Sequence, residues 1–133
     1  KKRRFSKMAA LSNVHAASIL NTSLRSGTYY LALFLTDPTA SGTGTEASGG
    51  GYARKVISFD APSLVAGKQQ VKNTDAVDYG VITADIGTVS YWGIFDSQTG
   101  GNLLWFGSFA RGKNVLNGDA ITVNAGAIVC NIS

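Results

Sequence analysis

The side chains able to carry out chemistry are few in this sequence, and their spacing does not favour catalysis. His15 is the only histidine and Cys130 the only cysteine, so a structural zinc site lacks ligands and an internal disulfide is impossible. A Ser-His-Asp triad would have to use His15, which lies in an alanine-rich segment distant in sequence from every aspartate. We therefore expect His15 to be an ordinary polar or packing residue. Cys130, within AIVCNI, is expected to be a small buried apolar residue.

The aspartates offer a second kind of site, a carboxylate pair or a set of calcium ligands. Asp75 and Asp78 are three positions apart in a strand-like segment, which directs their side chains to opposite faces. Both also lie beside turn residues, where aspartate commonly accepts hydrogen bonds from its own backbone. Asp85 has no partner by spacing, and Asp96 is expected to shape a hairpin turn. No catalytic or metal-binding residue is predicted.

The segment GSFARGKN, residues 107–114, fits the spacing of a phosphate-binding loop only in part. Asn114 stands where a hydroxyl would bind Mg²⁺, and the next residues read as strand and turn where a helix is needed. The glycine-rich stretch 41–51 contains G-x-G fragments, but no helix follows it either. We therefore predict no cofactor and expect a non-enzymatic protein.

The charge distribution separates a basic arm from a nearly neutral body. The arm holds five of the 12 basic residues, which leaves 12 − 5 = 7 against eight acidic ones. These five are Lys1, Lys2, Arg3, Arg4 and Lys7. A nucleic-acid-binding protein spreads its cations over a docking face, so nucleic acid is not the expected partner. We expect the arm to contact phosphates or an acidic protein partner, or to be a solvated tail.

One helix and a series of strands must position these groups. Residues 6–23 have apolar side chains near the helical period, with Ser6 as the expected N-cap. Because its apolar face is thin, the helix needs a second surface, either its own domain or a neighbouring subunit. No run approaches the ~18 apolar residues of a membrane span, so no membrane partner is expected.

From residue 28 onward, short apolar or alternating runs are separated by turn residues, which indicates seven or eight strands. The predicted strands cover 28–35, 55–59, 69–82 with a polar break at 73–75, 87–96, 102–109, 113–116, 120–124 and 127–132. The apolar, aromatic-rich run 28–35 suits a strand that is buried on both faces or lies in the middle of a sheet. This spacing predicts an all-β fold, an antiparallel β-sandwich or jelly-roll-like barrel with an N-terminal helical arm. We expect residues 1–24 to form the anchor and residues 25–133 the sandwich domain.

The connection TDPTASGTGTEASGGGYAR, residues 36–54, is longer than most loops of compact domains, which indicates a functional or mobile loop. It suits contact with a neighbouring molecule better than it suits fixed catalytic geometry. Tyr52 and Arg54 are its candidate partner-binding residues, because tyrosine and arginine are enriched in interface hot spots. The paired aromatics Tyr91-Trp92 and Trp105-Phe106 place one ring inside a sheet and one outside. The outer rings favour a subunit interface over a ligand platform.

Four segments in this order resemble a family of small tailed-bacteriophage virion proteins, described as head-fibre, capsid-decoration or tail-fibre-like. They are ALFLTDP (32–38), GTEASGGGYAR (44–54), GIFDSQTGGNLL (93–104) and GDAITVNAG (118–126). The resemblance covers nearly everything after residue 28. It implies a compact, non-enzymatic protein that acts as a symmetric oligomer in the virion, and we expect a homotrimer.

The resemblance and the residues together predict a protein that decorates or stabilises the capsid exterior. Its partner would be the major capsid protein or another virion protein, contacted by the basic arm and by the loop 36–54. The alternative is a tail-fibre or receptor-binding module that holds a host glycan on its outer aromatic side chains, with Trp105 as the candidate platform.

Overall fold

The computed structural model describes residues 11–132, which form one helix followed by nine strands. The elements are α1 (Asn13–Leu24), β1 (Tyr29–Phe34), β2 (Lys55–Ile57), β3 (Ser63–Val65), β4 (Lys68–Lys72), β5 (Val77–Val81), β6 (Gly87–Phe95), β7 (Leu103–Val115), β8 (Ala120–Val123) and β9 (Val129–Ile132). The strand orders are β2-β1-β6-β7, β3-β4-β9 and β5-β8, and every pairing is antiparallel. The sheets are open, so the predicted all-β sandwich with an N-terminal helix is confirmed.

β1 is the central strand of the fold and is buried on both faces. Since successive side chains of a strand alternate, Leu31 and Leu33 join the main core while Ala32 and Phe34 form a smaller apolar cluster with Phe95 on the outer face. The apolar run 28–35 therefore predicted both the strand and its position in the middle of a sheet.

α1 is part of the domain core. It begins at Asn13, where the Ser12 hydroxyl caps the helix by accepting a hydrogen bond from the His15 amide at 3.2 Å. The predicted N-cap Ser6 lies outside the described residues. One face is buried at four-residue intervals, and this face packs against β4 and β9. Its buried residues are Ala16, Leu20 and Leu24. The second surface that the helix needs is thus supplied by its own sandwich.

Two strand predictions were wrong. The predicted strands 102–109 and 113–116 form one strand, β7, because residues 109–112 make a wide bulge opposite Ser90 and pairing with β6 resumes beyond it. β3 was not predicted at all. It forms a hairpin with β4 through Ala66 and Gly67, whose φ angles of 51° and 81° suit a tight two-residue turn.

Candidate functional site

The loop 36–54, called the motif loop below, is hydrogen-bonded back onto β1. The Leu35 amide donates to the Thr45 carbonyl and the Ala47 amide to the Leu33 carbonyl, each at 2.8 Å. These bonds lay residues 45–47 antiparallel along β1 and give the second half of the loop a fixed register. A segment whose composition suits a mobile connection is therefore anchored to the central strand of the fold.

Two glycines allow the motif loop to approach other backbone closely. A Cβ on Gly44 would come within 2.7 Å of the Thr36 and Asp37 carbonyl oxygens, so no larger residue fits there without movement. Gly50 has a φ of 61° and lies against Ile82, and its carbonyl accepts a hydrogen bond from the Thr83 amide at 3.0 Å. The motif loop therefore packs closely against other backbone at Gly44 and at Gly50.

Three polar side chains of the loop, Glu46, Tyr52 and Arg54, form a connected group called the motif cluster below. Arg54 donates from Nε to Glu46 Oε2 at 3.0 Å and from Nη2 to Glu46 Oε1 at 2.9 Å, a bidentate ion pair. The Tyr52 hydroxyl donates to Glu46 Oε2 at 2.8 Å and accepts from the Leu33 amide at 2.9 Å. The cluster therefore joins the far end of the loop to β1.

Arg54 also binds the loop to the turn between β6 and β7, residues 97–101. Its Nη1 donates to the Ser97 carbonyl at 3.0 Å and to the Gly100 carbonyl at 2.7 Å. Its guanidinium carbon lies 3.7 Å from the centroid of the Phe95 ring, a cation–π contact. The residue is only 8% exposed, and these partners together compensate the burial of its charge.

The turn itself is shaped by Asp96, as predicted. The Asn102 amide donates to Asp96 Oδ1 at 2.8 Å and the Asn102 side chain to Oδ2 at 2.9 Å. These hydrogen bonds from Asn102 lower the pKa of the Asp96 carboxyl, so it is ionised at neutral pH.

Tyr52 of the motif cluster stacks on Tyr79, with ring centroids 5.8 Å apart. Burial raises the pKa of the Tyr52 phenol far above its ordinary value. The Leu33 amide opposes this shift, and Glu46 adds to it. Burial likewise raises the pKa of Tyr79, whose hydroxyl donates to the Leu31 carbonyl at 2.6 Å. Both phenols are therefore neutral hydrogen-bonding groups rather than bases or nucleophiles.

The predicted site residues fall into two groups. Tyr52 and Arg54 are brought together, but their polar groups are directed into the domain and line a shallow groove of about 350 Å³ with Gln98 and Thr99. Their contact with a partner stays a prediction. The other five lie outside the described residues; they are Lys1, Lys2, Arg3, Arg4 and Lys7. The prediction missed Glu46, although its place as the lone acid of the GTEASGGGYAR segment was a usable signal.

The remaining candidates for chemistry take the ordinary structural roles predicted for them. GSFARGKN lies inside strand β7, and the next element along the chain is strand β8 rather than a helix. His15 is exposed on α1, whereas Cys130 is buried, which raises the pKa of its thiol to about 12.

Across residues 11–132, no three His, Cys, Asp or Glu side chains are close enough together to hold a metal ion. Within the same range no helix has the length and apolar character to cross a membrane.

The fold and the cluster define a β-sandwich in which a buried polar network holds the motif loop in shape. The chain belongs to the family of the podophage GP4 fiber I protein gp80, whose family model matches residues 10–131. It is therefore a bacteriophage virion protein of the fibre type, and the resemblance seen in the sequence is confirmed. No curated protein matches the chain.

Proposed function

We propose that this protein is a non-enzymatic structural protein of the capsid exterior, where it decorates or stabilises the shell. One observation carries the non-enzymatic part of the proposal: the polar groups of the motif cluster are hydrogen-bonded to one another and to backbone carbonyls. Glu46 accepts on both oxygens, and Arg54 donates to three different acceptor residues. A site built for turnover needs groups that are available to a substrate, whereas a site built for assembly needs a surface of fixed shape.

In this proposal the basic arm anchors the protein electrostatically to an acidic surface of the major capsid protein or another virion protein. The arm, residues 1–7, precedes a helix that is packed into the sandwich, so binding at the arm would be transmitted to a rigid body. Tyr52 and Arg54 act on the partner through the shape they give the motif loop, whose groove also presents Gln98 and Thr99.

Self-association is the second part of the proposal, with a homotrimer as the expected order. The exposed part of the outer face of the four-stranded sheet supports it, because Phe106 is 41% exposed there beside the half-buried Tyr30 and Tyr91, and none of the three is charged. Ala32, Phe34 and Phe95 of the same face are buried within the domain and take no part in such a contact. Uncharged faces of this kind can pack around a symmetry axis without desolvating a charge.

Binding to particles that lack this protein tests the anchor. We expect the full chain to co-sediment with the capsids, and binding to be lost when Lys1, Lys2, Arg3, Arg4 and Lys7 are all changed to glutamine. A control with Lys68→Gln and Lys72→Gln, two exposed cations of the strand β4, should still bind. Equal loss in both variants would contradict a specific role of the arm. A bulky tag located by negative-stain microscopy then distinguishes capsid from tail.

The alternative is a tail-fibre module that recognises a host glycan, and the exposed ring of Phe106 is the observation that favours it. Trp105 is not the platform: it packs against the main core, and its indole N–H donates to the Ser23 hydroxyl at 2.7 Å. Glycan binding that is lost in Phe106→Ala with the fold retained would support this alternative. A wild-type protein that binds capsids and no glycan would support decoration.

A further inference from the structure

A cleft, called the inter-sheet cleft below, opens between the inner face of the four-stranded sheet and strand β8. It has a volume of about 350 Å³ and is lined by the second half of β7 and by β8. Four side chains of its lining belong to the main core; they are Leu33, Val89, Val115 and Val123. The cleft therefore leads from the surface to the apolar interior of the sandwich.

Two cations, Arg111 and Lys113, belong to the lining of this mainly apolar cleft. Lys113 is paired with Val89 across β6 and β7. Because the side chains of such a pair lie on the same face of a sheet, the lysine is directed to the core side. Both cationic residues are exposed, so their charged ends reach water at the mouth of the cleft.

Positive charge exceeds negative charge at this mouth. Lys113 Nζ lies 3.8 Å from Asp119 Oδ2, and the lysine side chain is 63% exposed, so this ion pair is loose. Arg111 has no carboxylate within 4.0 Å in the part of the chain that the structure describes. Its guanidinium is therefore available to an anion from outside the domain.

An inward-facing cation on an edge strand has a second possible role, which is to prevent pairing with another chain. That role is served by a charge of either sign, whereas an anion site needs positive charge. An apolar cleft with a few charged groups at one end is also the usual form of a small-molecule pocket. The sign of the required charge thus separates the two roles by experiment.

We propose that the inter-sheet cleft binds a medium-chain fatty acid. The alkyl chain lies among the core side chains, and the carboxylate lies beside Arg111 and Lys113, where the guanidinium can donate two hydrogen bonds to it. The volume of about 350 Å³ is near the lower end of the range for small-molecule pockets, ~300–1,000 Å³, which favours a single chain of medium length.

Two other occupants fit less well. An acidic peptide segment would bury backbone amides and carbonyls in the apolar part of the cleft, whereas an alkyl chain has no polar group to leave unpaired. The basic arm of this protein would bring like charges to Arg111 and Lys113. The ligand site goes beyond the proposed function and does not depend on capsid binding.

Calorimetric titration of the full chain with octanoate is the first test, and we expect saturable binding. Octyltrimethylammonium has the same alkyl chain with the opposite charge, and it should bind roughly tenfold more weakly or less. The acetylated and amidated peptide Asp-Leu-Asp represents an acidic partner segment. No saturable binding of octanoate, equal affinity for the two amphiphiles, or tighter binding of the peptide than of octanoate would overturn the proposal.

Charge substitutions then separate anion binding from edge protection. Arg111→Gln with Lys113→Gln should weaken octanoate binding roughly tenfold. Arg111→Glu with Lys113→Glu keeps the edge charged and should abolish octanoate binding. The control, Lys68→Gln with Lys72→Gln, removes two exposed cations of β4 outside the cleft and should bind octanoate like the wild type. Wild-type affinity in either cleft variant would contradict the site.

Filling the cleft tests where the alkyl chain lies. Ala127 is an exposed residue of the lining, so the ring of Ala127→Phe should occupy part of the cleft and prevent octanoate binding. Ala61→Phe makes the same change at an exposed position outside the lining and should leave binding unchanged. Thermal unfolding shows that both variants are folded. A folded Ala127→Phe that binds octanoate as tightly as Ala61→Phe would rule out the inter-sheet cleft as the site.

Discussion

The Arg54 guanidinium and the Glu46 carboxylate form a bidentate ion pair whose arginine side chain is 9% exposed and whose glutamate side chain is 27% exposed. The same guanidinium donates to two carbonyls of the β6–β7 turn, more than 40 positions further along the chain. Two segments that are separate in the sequence, GTEASGGGYAR and GIFDSQTGGNLL, therefore meet at one side chain. The structure explains why these two segments occur together: the first supplies the Arg54 guanidinium, and the second supplies the Ser97 and Gly100 carbonyls to which it donates.

Arg54→Gln should destabilise the protein by about 3 kcal/mol, because it leaves a partly buried carboxylate without its cation. The matched control is Lys113→Gln, which removes an exposed pair in which Lys113 Nζ lies 3.8 Å from Asp119 Oδ2. The control should cost less than about 1 kcal/mol. Urea unfolding followed by tryptophan fluorescence measures both. Equal costs would show that the motif cluster does not contribute to stability beyond an ordinary surface pair.

Gly44→Ala should destabilise the protein by about 1–3 kcal/mol, because the new Cβ would lie 2.7 Å from backbone atoms of residues 36–38. Gly27→Ala is the control, since a Cβ there meets nothing closer than 3.8 Å and neither glycine requires a left-handed backbone. We expect the control to change the free energy of unfolding by less than about 0.5 kcal/mol. Thermal unfolding of Gly44→Ala and Gly27→Ala compares the two. If Gly44→Ala were as stable as the wild type, the backbone around residue 44 could move apart without loss of stability.

Stability should fall at alkaline pH because of Tyr52 and Tyr79. Their folded-state pKa values are raised, so their contribution is fully present below pH 10.0, the ordinary tyrosine value, and is lost as the unfolded state ionises above it. Each tyrosine should lower the free energy of unfolding by about 1 kcal/mol per pH unit in that range. Tyr52→Phe should therefore show a smaller alkaline slope than the wild type in urea titrations. An unchanged slope would show that groups other than Tyr52 cause the loss of stability at alkaline pH.

Leu20→Ala should cost about 2–5 kcal/mol, because Leu20 is fully buried between α1 and the sandwich. Val14→Ala is the control on the same helix, where the side chain is 82% exposed, and its cost should stay below about 0.5 kcal/mol. Chemical denaturation measures both. If Leu20→Ala had no effect, α1 would be a detachable arm rather than a part of the core.

The sequence by itself determined most of the strands and the family. Alternation and turn residues are local signals, and they predicted β1, the β6–β7 hairpin and the turn-shaping role of Asp96. The family segments are also short stretches of sequence, so their order can be read without the structure. The length of the apolar run at 28–35 even indicated that β1 would be central, since a strand covered on both faces has no polar side.

Only the tertiary structure decided what the polar residues of the motif loop do. The partners of Arg54 include the Ser97 and Gly100 carbonyls, and backbone carbonyls carry no sequence signature. The joining of 102–109 and 113–116 into β7 likewise depends on pairing with β6 across a bulge. Such relationships arise when segments distant in sequence are brought together, so local patterns can predict the elements but not which side chains they enclose.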